Sequence, residues 1–272
     1  MTGNELLHDV FGVRKVGKSK EDIVVGIEIE AENVNTDLLD GEDFNKLNRF
    51  WTMVADGSLD NHGQEFVSKP LHYNRQLDIA LADVTDILQK VRAQTSYRCG
   101  LHVHLNVSHL NLNELYTLLL VYAFFEDAIF LYCGQERASS CFCIPVTNTY
   151  LMRKLGPNGK LVDAIQEWPK YMGLNLQPLK GGNHNPPQGT VEFRQHKGTL
   201  SSVEIKAWVS IIAKIYKNAI FNDTVLDMIS NASNDPVSFL RSFFNNAFPA
   251  DVTDEQLKEA YQSGMLSMLT LK

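Results

Sequence analysis

Cysteine is scarce in this sequence: Cys99, Cys133, Cys141 and Cys143 are the only four among 272 residues. They are too few for a disulfide framework and lack the paired spacing of a zinc finger or ribbon, so they read as free thiols. The CFC at Cys141 and Cys143 is at most a faint metal or redox signal. A basic surplus is missing too. Lys and Arg number 25 against 32 Asp and Glu, for a net charge of -7, which gives no support to a nucleic-acid surface but leaves room for a local basic pocket. The opening MTGNELLHDVFGVRKVGKSK contains no hydrophobic signal segment. The longest apolar run, Leu115–Tyr132, is broken by Glu126 and Asp127, as suits a buried helix better than a membrane span. A cytoplasmic protein without a nucleic-acid or membrane partner is the expectation. Internal repeats and low-complexity tracts are absent as well.

What the sequence does contain is alternation. In Ile23–Glu30, Ile27 and Ile29 alternate with Glu28 and Glu30, so a strand would carry the acids on one face and the isoleucines on the other. Trp51–Ala55 and Gln64–Lys69 read as two more strands, joined through the turn residues DGSLDNHG into a hairpin or meander. Leu101–Val107 aligns His102, His104 and Asn106. Thr190–His196 aligns Glu192, Arg194 and His196. Three-and-four spacing predicts a helix over about 73–93, another from an Asn113 cap through Leu131, and a third over Val203–Phe221. Two shorter helices are expected in the tail, where residues 251–255 offer a cap. The stretch 156–189 is richer in Gly, Pro and Asn, and LGPNGK (155–160) and KGGNHNPPQG (180–189) read as loops, the second leading directly into TVEFR. Strand signals dispersed among helices predict one α+β domain.

A pair of carboxylates at alternate strand positions is costly to desolvate and mutually repulsive, and a cation offsets both effects. For Glu28 and Glu30 alone, a half-exposed edge strand wetted by solvent explains as much. Repetition tips the balance, because four strand-like segments each present acids, imidazoles or arginine beside apolar residues. Glu28, Glu30, Asp56, Glu65, His102, His104 and Glu192 form a donor set rich in carboxylate oxygen, which suits magnesium or manganese better than structural zinc. Arg194 reads either as an ion-pair partner for these acids or as a bidentate phosphate contact. No Rossmann fingerprint occurs and no P-loop is expected, so a nucleotide would be held by metals and this sheet. Composition and spacing lead as far as a metal-dependent site, with phosphate chemistry as one option.

The segments GIEIE (Gly26–Glu30), DGSLDNHGQEFVSKPL (Asp56–Leu71), CGLHVHLN (Cys99–Asn106) and TVEFRQHKGT (Thr190–Thr199) together resemble the amidoligase family. That family is similar to the carboxylate–amine ligases related to glutamine synthetase and glutamate–cysteine ligase. The motifs occur in the family's order, over about residues 21–215. The resemblance implies an α+β, glutamine-synthetase-like fold with a curved, mostly antiparallel sheet flanked by helices. It implies ATP- and Mg2+-dependent amide formation (Mn2+ being a possible substitute) through an acyl phosphate, from a carboxylate-bearing small molecule or peptide and an amine. Glu28, Glu30, Asp56, Glu65, His102 and Glu192 match metal positions. His104 and Asn106 match the nucleotide side, and Arg194 the phosphate-contacting arginine. Glu65, His102, Glu192 and Arg194 make up the implied catalytic set.

Trp51 is the candidate for stacking on adenine, with core packing as the favoured reading. Lys69, Arg98, Lys180 and Lys197 are candidate contacts to substrate carboxylates or phosphates, each more simply a surface charge. Arg137 and Arg153 flank the CFC segment and are candidates for the acceptor pocket, and the 180–189 loop is a candidate cover or an ordinary connector. Residues 1–20 are expected to be an extension, 21–222 the catalytic domain and 223–272 a helical extension packed on it. Oligomerisation stays open. A metal-dependent hydrolase, an ATP-dependent phosphotransferase and a noncatalytic ligand-binding protein are the competing functions.

Overall fold

The computed structural model describes residues 3–154, 159–181 and 186–271. Its strands are β1 (Val24–Ala31), β2 (Trp51–Ala55), β3 (Gln64–Ser68), β4 (Leu71–His72), β5 (Gly100–Asn106), β6 (Leu174–Asn175) and β7 (Thr190–Lys197). Helices α1 (Leu7–Phe11), α2 (Gly41–Phe50), α3 (Arg75–Lys90), α4 (Leu112–Cys133), α5 (Leu151–Lys154), α6 (Gly159–Gln166), α7 (Gln177–Lys180), α8 (Ser202–Phe221), α9 (Val225–Asn231), α10 (Pro236–Phe243) and α11 (Asp254–Leu271) are interspersed with them, the last four in succession. The chain forms two compact units, one of Val16–Asn106 with Glu192–Ser210, the other of Met1–Lys15, Val107–Val191 and Ile211–Lys272.

In the first unit β1 is the hub of the sheet, pairing antiparallel with β3, β4 and β5, while β2 pairs antiparallel with β3. Beyond β5 lies β7. The Gly198 amide donates to the Cys99 carbonyl and the Val107 amide to that of Gly189, so opposite ends of β5 and β7 meet and this pair is antiparallel as well. A central antiparallel sheet flanked by helices thus matches expectation. Its expected curvature does not, because the sheet is not curled. β2 begins the strand order with β3 as its neighbour, whereas closure would have to occupy its other edge.

Register divides the two faces. Ile27 faces Val103, and Ile29 lies between Leu101 and Phe66, all fully buried. Burial of each such side chain contributes about 1.5–3 kcal/mol. Trp51 belongs to this apolar side and donates its ring N–H to the Ala80 carbonyl of α3 at 2.8 Å. α3 turns Leu77, Leu81, Val84 and Leu88 inward, and its first turn is capped by Asn74, which accepts from the Gln76 amide. The start of α8 is fastened near α3 by Tyr73 donating to Ser210 and by the Lys206–Asp78 ion pair.

The second unit is built on α4 and α11. α4 is long and apolar enough to cross a membrane, yet 78% of its most apolar window is buried inside the protein, as a core helix requires. It starts two residues earlier than Asn113 suggests. Asn111 accepts from the Glu114 amide while Glu114 accepts from that of Asn111, a reciprocal box that the spacing N-x-x-E encodes. The buried Glu126 accepts from Tyr122 and from the amides of Val146 and Thr147, so its oxygens have dedicated donors while burial pushes its carboxyl up. The tail holds more helix than expected, since α11 follows α9 and α10 and runs 18 residues.

Candidate metal centre

Directly opposed residues of an antiparallel pair project to the same side of the sheet. Glu28 opposes His102, Glu30 opposes Glu65, and His104 opposes Gly26, which has no side chain to compete for that space. One face therefore gathers the acids and imidazoles while the other keeps the isoleucines. His102 Nδ1 lies 3.2 Å from one Glu28 oxygen and 3.7 Å from Glu192, and its Nε2 lies 3.7 Å from Glu30. His104 Nε2 lies 3.0 Å from the other Glu28 oxygen. From β7, Arg194 pairs with Glu192 and both are buried.

Three overlapping groups offer ligand atoms within 4.8 Å of one another: Glu28 with His104 and Glu192, Glu28 with Glu65 and His102, and Glu30 with Asp56 and Glu65. Glu28 and Glu65 are each shared by two groups, so the candidate sites adjoin. The donors are mostly hard oxygens with an imidazole in two groups, the chemistry of a magnesium or manganese centre.

The electrostatics describe a site with surplus negative charge. Burial and the charges of Glu28, Glu30 and Asp56 push the Glu65 carboxyl up to about 8. Burial works against a charged His104, but Glu28 and Glu192 override it and raise that imidazole to about 9. Burial likewise opposes ionisation of Glu28, and the two histidines outweigh it, holding Glu28 well below the ordinary carboxylate range. At neutral pH this favours the protonated form of Glu65, and a cation held here would have to displace that proton.

Of the residues singled out from sequence, Glu28, Glu30, Asp56, Glu65, His102, His104 and Glu192 converge, with Arg194 beside Glu192. Asn106 lies one alternate position beyond His104 and donates to the Val16 carbonyl at 2.9 Å. Trp51 is not brought to this face. Its register partner Ser68 is two residues from Phe66, which puts the indole in the core beneath α3. Lys69 caps α2 through the carbonyls of Asn48 and Arg49, Lys180 donates to the Gln166 carbonyl, and Arg98 binds the turn after β2. Arg137 is buried in the second unit. The Arg153 side chain and residues 182–185 of the candidate cover loop lie outside the described residues.

Two further features of the sequence lie outside this set. The alternation Glu28, Glu30 continues to Glu32, a third carboxylate, which is buried. The stretch GVRKVGKS at Gly12–Ser19 also has the spacing of a P-loop. It follows helix α1 and leads to strand β1, the reverse of the strand-to-helix context that binds phosphate. The Lys18 amide is already used by Asp22 at 2.9 Å.

No curated protein matches the chain. A family described as "Putative amidoligase enzyme" matches residues 13–216, well over half of the sequence and every residue of the acidic face, and the chain belongs to this amidoligase family.

Proposed function

We propose that this protein is an ATP- and magnesium-dependent carboxylate–amine ligase that joins a carboxylate-bearing small molecule or peptide to an amine through an acyl phosphate. The observation that carries this is the convergence of five carboxylates and two imidazoles beside Arg194, in a chain of the amidoligase family. The proposed catalytic domain is 21–222, of glutamine-synthetase-like fold, with 1–20 and 223–272 as extensions. The cytoplasm, a source of ATP and a reducing environment, suits its four free cysteines.

Glu28, Glu30, Asp56, Glu65, His102 and Glu192 would hold Mg2+, with Mn2+ as a substitute. Bound there, the cations would neutralise the triphosphate and the phosphoryl group in transfer. Arg194, oriented by Glu192, adds a positive charge that no accessible pH removes. His104, cationic at neutral pH, and Asn106 at the end of the same strand are assigned to the nucleotide phosphates. In the reaction a substrate carboxylate oxygen attacks the γ-phosphorus and ADP leaves. The amine nitrogen then attacks the acyl carbon, phosphate departs with the C–O bond electrons, and the amine sheds a proton.

The test is incubation with magnesium–ATP and a mixed pool of acids and amines, with mass spectrometry following ADP and condensed products together. Glu30→Gln and Glu192→Gln should each abolish turnover in a folded protein, a loss of 100-fold or more. Full activity in either variant would sink the metal assignment. ADP without a condensed product would point instead to a phosphotransferase, and turnover without ATP to a hydrolase.

A further inference from the structure

Asp56 differs from the other candidate ligands in its support. Glu28, Glu30, Glu65, His102 and Glu192 stand on strands, whereas Asp56 opens the turn between β2 and β3. A ligand on a turn is placed only as well as the turn is held. The Ser58 amide and hydroxyl both donate to one Asp56 oxygen at 2.8 Å, which fixes the carboxylate relative to the turn but not relative to the sheet.

Beyond its chain link to Ala55 of β2, the turn is attached to the sheet by a residue with no assigned role. Glu32 is 5% exposed, and its backbone is locked by reciprocal bonds with Gln94 at 2.8 and 2.9 Å. Its side chain accepts from the Asp60 amide at 3.0 Å, in the middle of the turn. Next to it, the Asn33 amide donates to the Asn61 carbonyl at 2.9 Å. From the far side Arg98 donates to the Ser58 carbonyl at 3.3 Å and pairs with Asp60 at 2.9 Å. The turn is thus gripped from the end of β1 and from the approach to β5, the two strands that carry Glu30 and His102.

We infer that Glu32 is a positioning residue, with Arg98 as its auxiliary, that clamps the 56–63 turn so that Asp56 meets Glu30 and Glu65. Glu32 acts as a hydrogen-bond acceptor toward the protein and does not ligate the cation. The Arg98 contacts, being more exposed, contribute less than the buried Glu32 bond. This inference rests on the metal-centre reading above. Loss of a residue that orients a ligand typically lowers metal affinity 10–100-fold.

The acceptor role separates two substitutions. Glu32→Gln keeps an oxygen for the Asp60 amide and removes the charge, whereas Glu32→Ala removes both. Mn2+ binding to the full chain, followed by electron paramagnetic resonance, should be at least tenfold weaker in Glu32→Ala and within about threefold of wild type in Glu32→Gln. Arg98→Ala should fall between them, with Arg98→Lys restoring part of the loss. In the metal-free protein, hydrogen exchange of the Asp60 amide should accelerate at least tenfold in Glu32→Ala and stay near the wild-type rate in Glu32→Gln. Equal loss of Mn2+ in both Glu32 variants would make Glu32 a ligand and overturn the positioning role. Unchanged affinity and exchange in Glu32→Ala would overturn the clamp. A wild-type chain that binds no Mn2+ would refute the metal centre, and the exchange comparison would still decide whether Glu32 holds the turn.

Discussion

Glu65 and Trp51 stand on neighbouring strands and show what a single residue's surroundings decide. The Glu65 carboxyl, lifted to about 8 by burial and by Glu28, Glu30 and Asp56, favours its protonated form at pH 7, and a bound cation would have to expel that proton. Below pH 8, Mn2+ affinity should therefore rise about tenfold per pH unit through this group, and above it the dependence should flatten. Calorimetric titration in two buffers of different ionisation heat should find about one proton more released by the wild type than by Glu65→Gln at pH 7, and close to none more at pH 9. Release that does not change with pH, or survives Glu65→Gln intact, would assign the proton elsewhere. Trp51 lies across the sheet, so Trp51→Phe should leave the KM for ATP unchanged. It should cost about 1–3 kcal/mol of stability in urea unfolding by removing the indole N–H bond to the Ala80 carbonyl and opening a small void. Alternation made Glu65's face legible in the sequence. The face of Trp51 depended on its pairing with Ser68, a long-range register that no local pattern displays.

Elements were legible where one face of each had a single task. The strands bearing Glu28, His102 and Glu192 followed from period-two patterning, and α3 from its three-and-four spacing. α4 is apolar nearly all round, so its pattern announced burial without naming its partner. The partner is α11, and its Gly264 shows how close the two come. A Cβ at that position would stand 2.1 Å from the Phe124 carbonyl oxygen, a contact that only displacement of a backbone relieves. Alanine is the better helix former by about 1 kcal/mol, so an isolated α11 would gain from the change. Here overpacking should win, and Gly264→Ala should destabilise the protein by about 1–3 kcal/mol. Urea unfolding measures it, and a more stable variant would contradict the close approach.

At the scale of the molecule, the candidate centre is confined to one unit although its residues span much of the chain. Glu192–Ser210 rejoins Val16–Asn106 after the excursion Val107–Val191, and Glu28, Asp56, His102 and Glu192 all fall inside that unit. The sequence marks the four motifs but not this return, which is a matter of long-range pairing between β5 and β7. Confinement has a thermodynamic consequence. A cation stabilises only states in which its ligands are assembled, by about 2.7 kcal/mol at a concentration 100 times its dissociation constant. Openings that dissolve the β1–β3–β5–β7 sheet must release the ion, whereas local openings of the α4–α11 pair need not. Saturating Mn2+ should therefore slow native-state hydrogen exchange by about 100-fold at amides of β1, β3 and β5 that exchange through sub-global opening. Amides of α11 that exchange through local opening should keep their rates. Uniform slowing of both sets at low denaturant would mean that the units open together, and no slowing in β1 would remove the cation from the face on which the proposed chemistry depends.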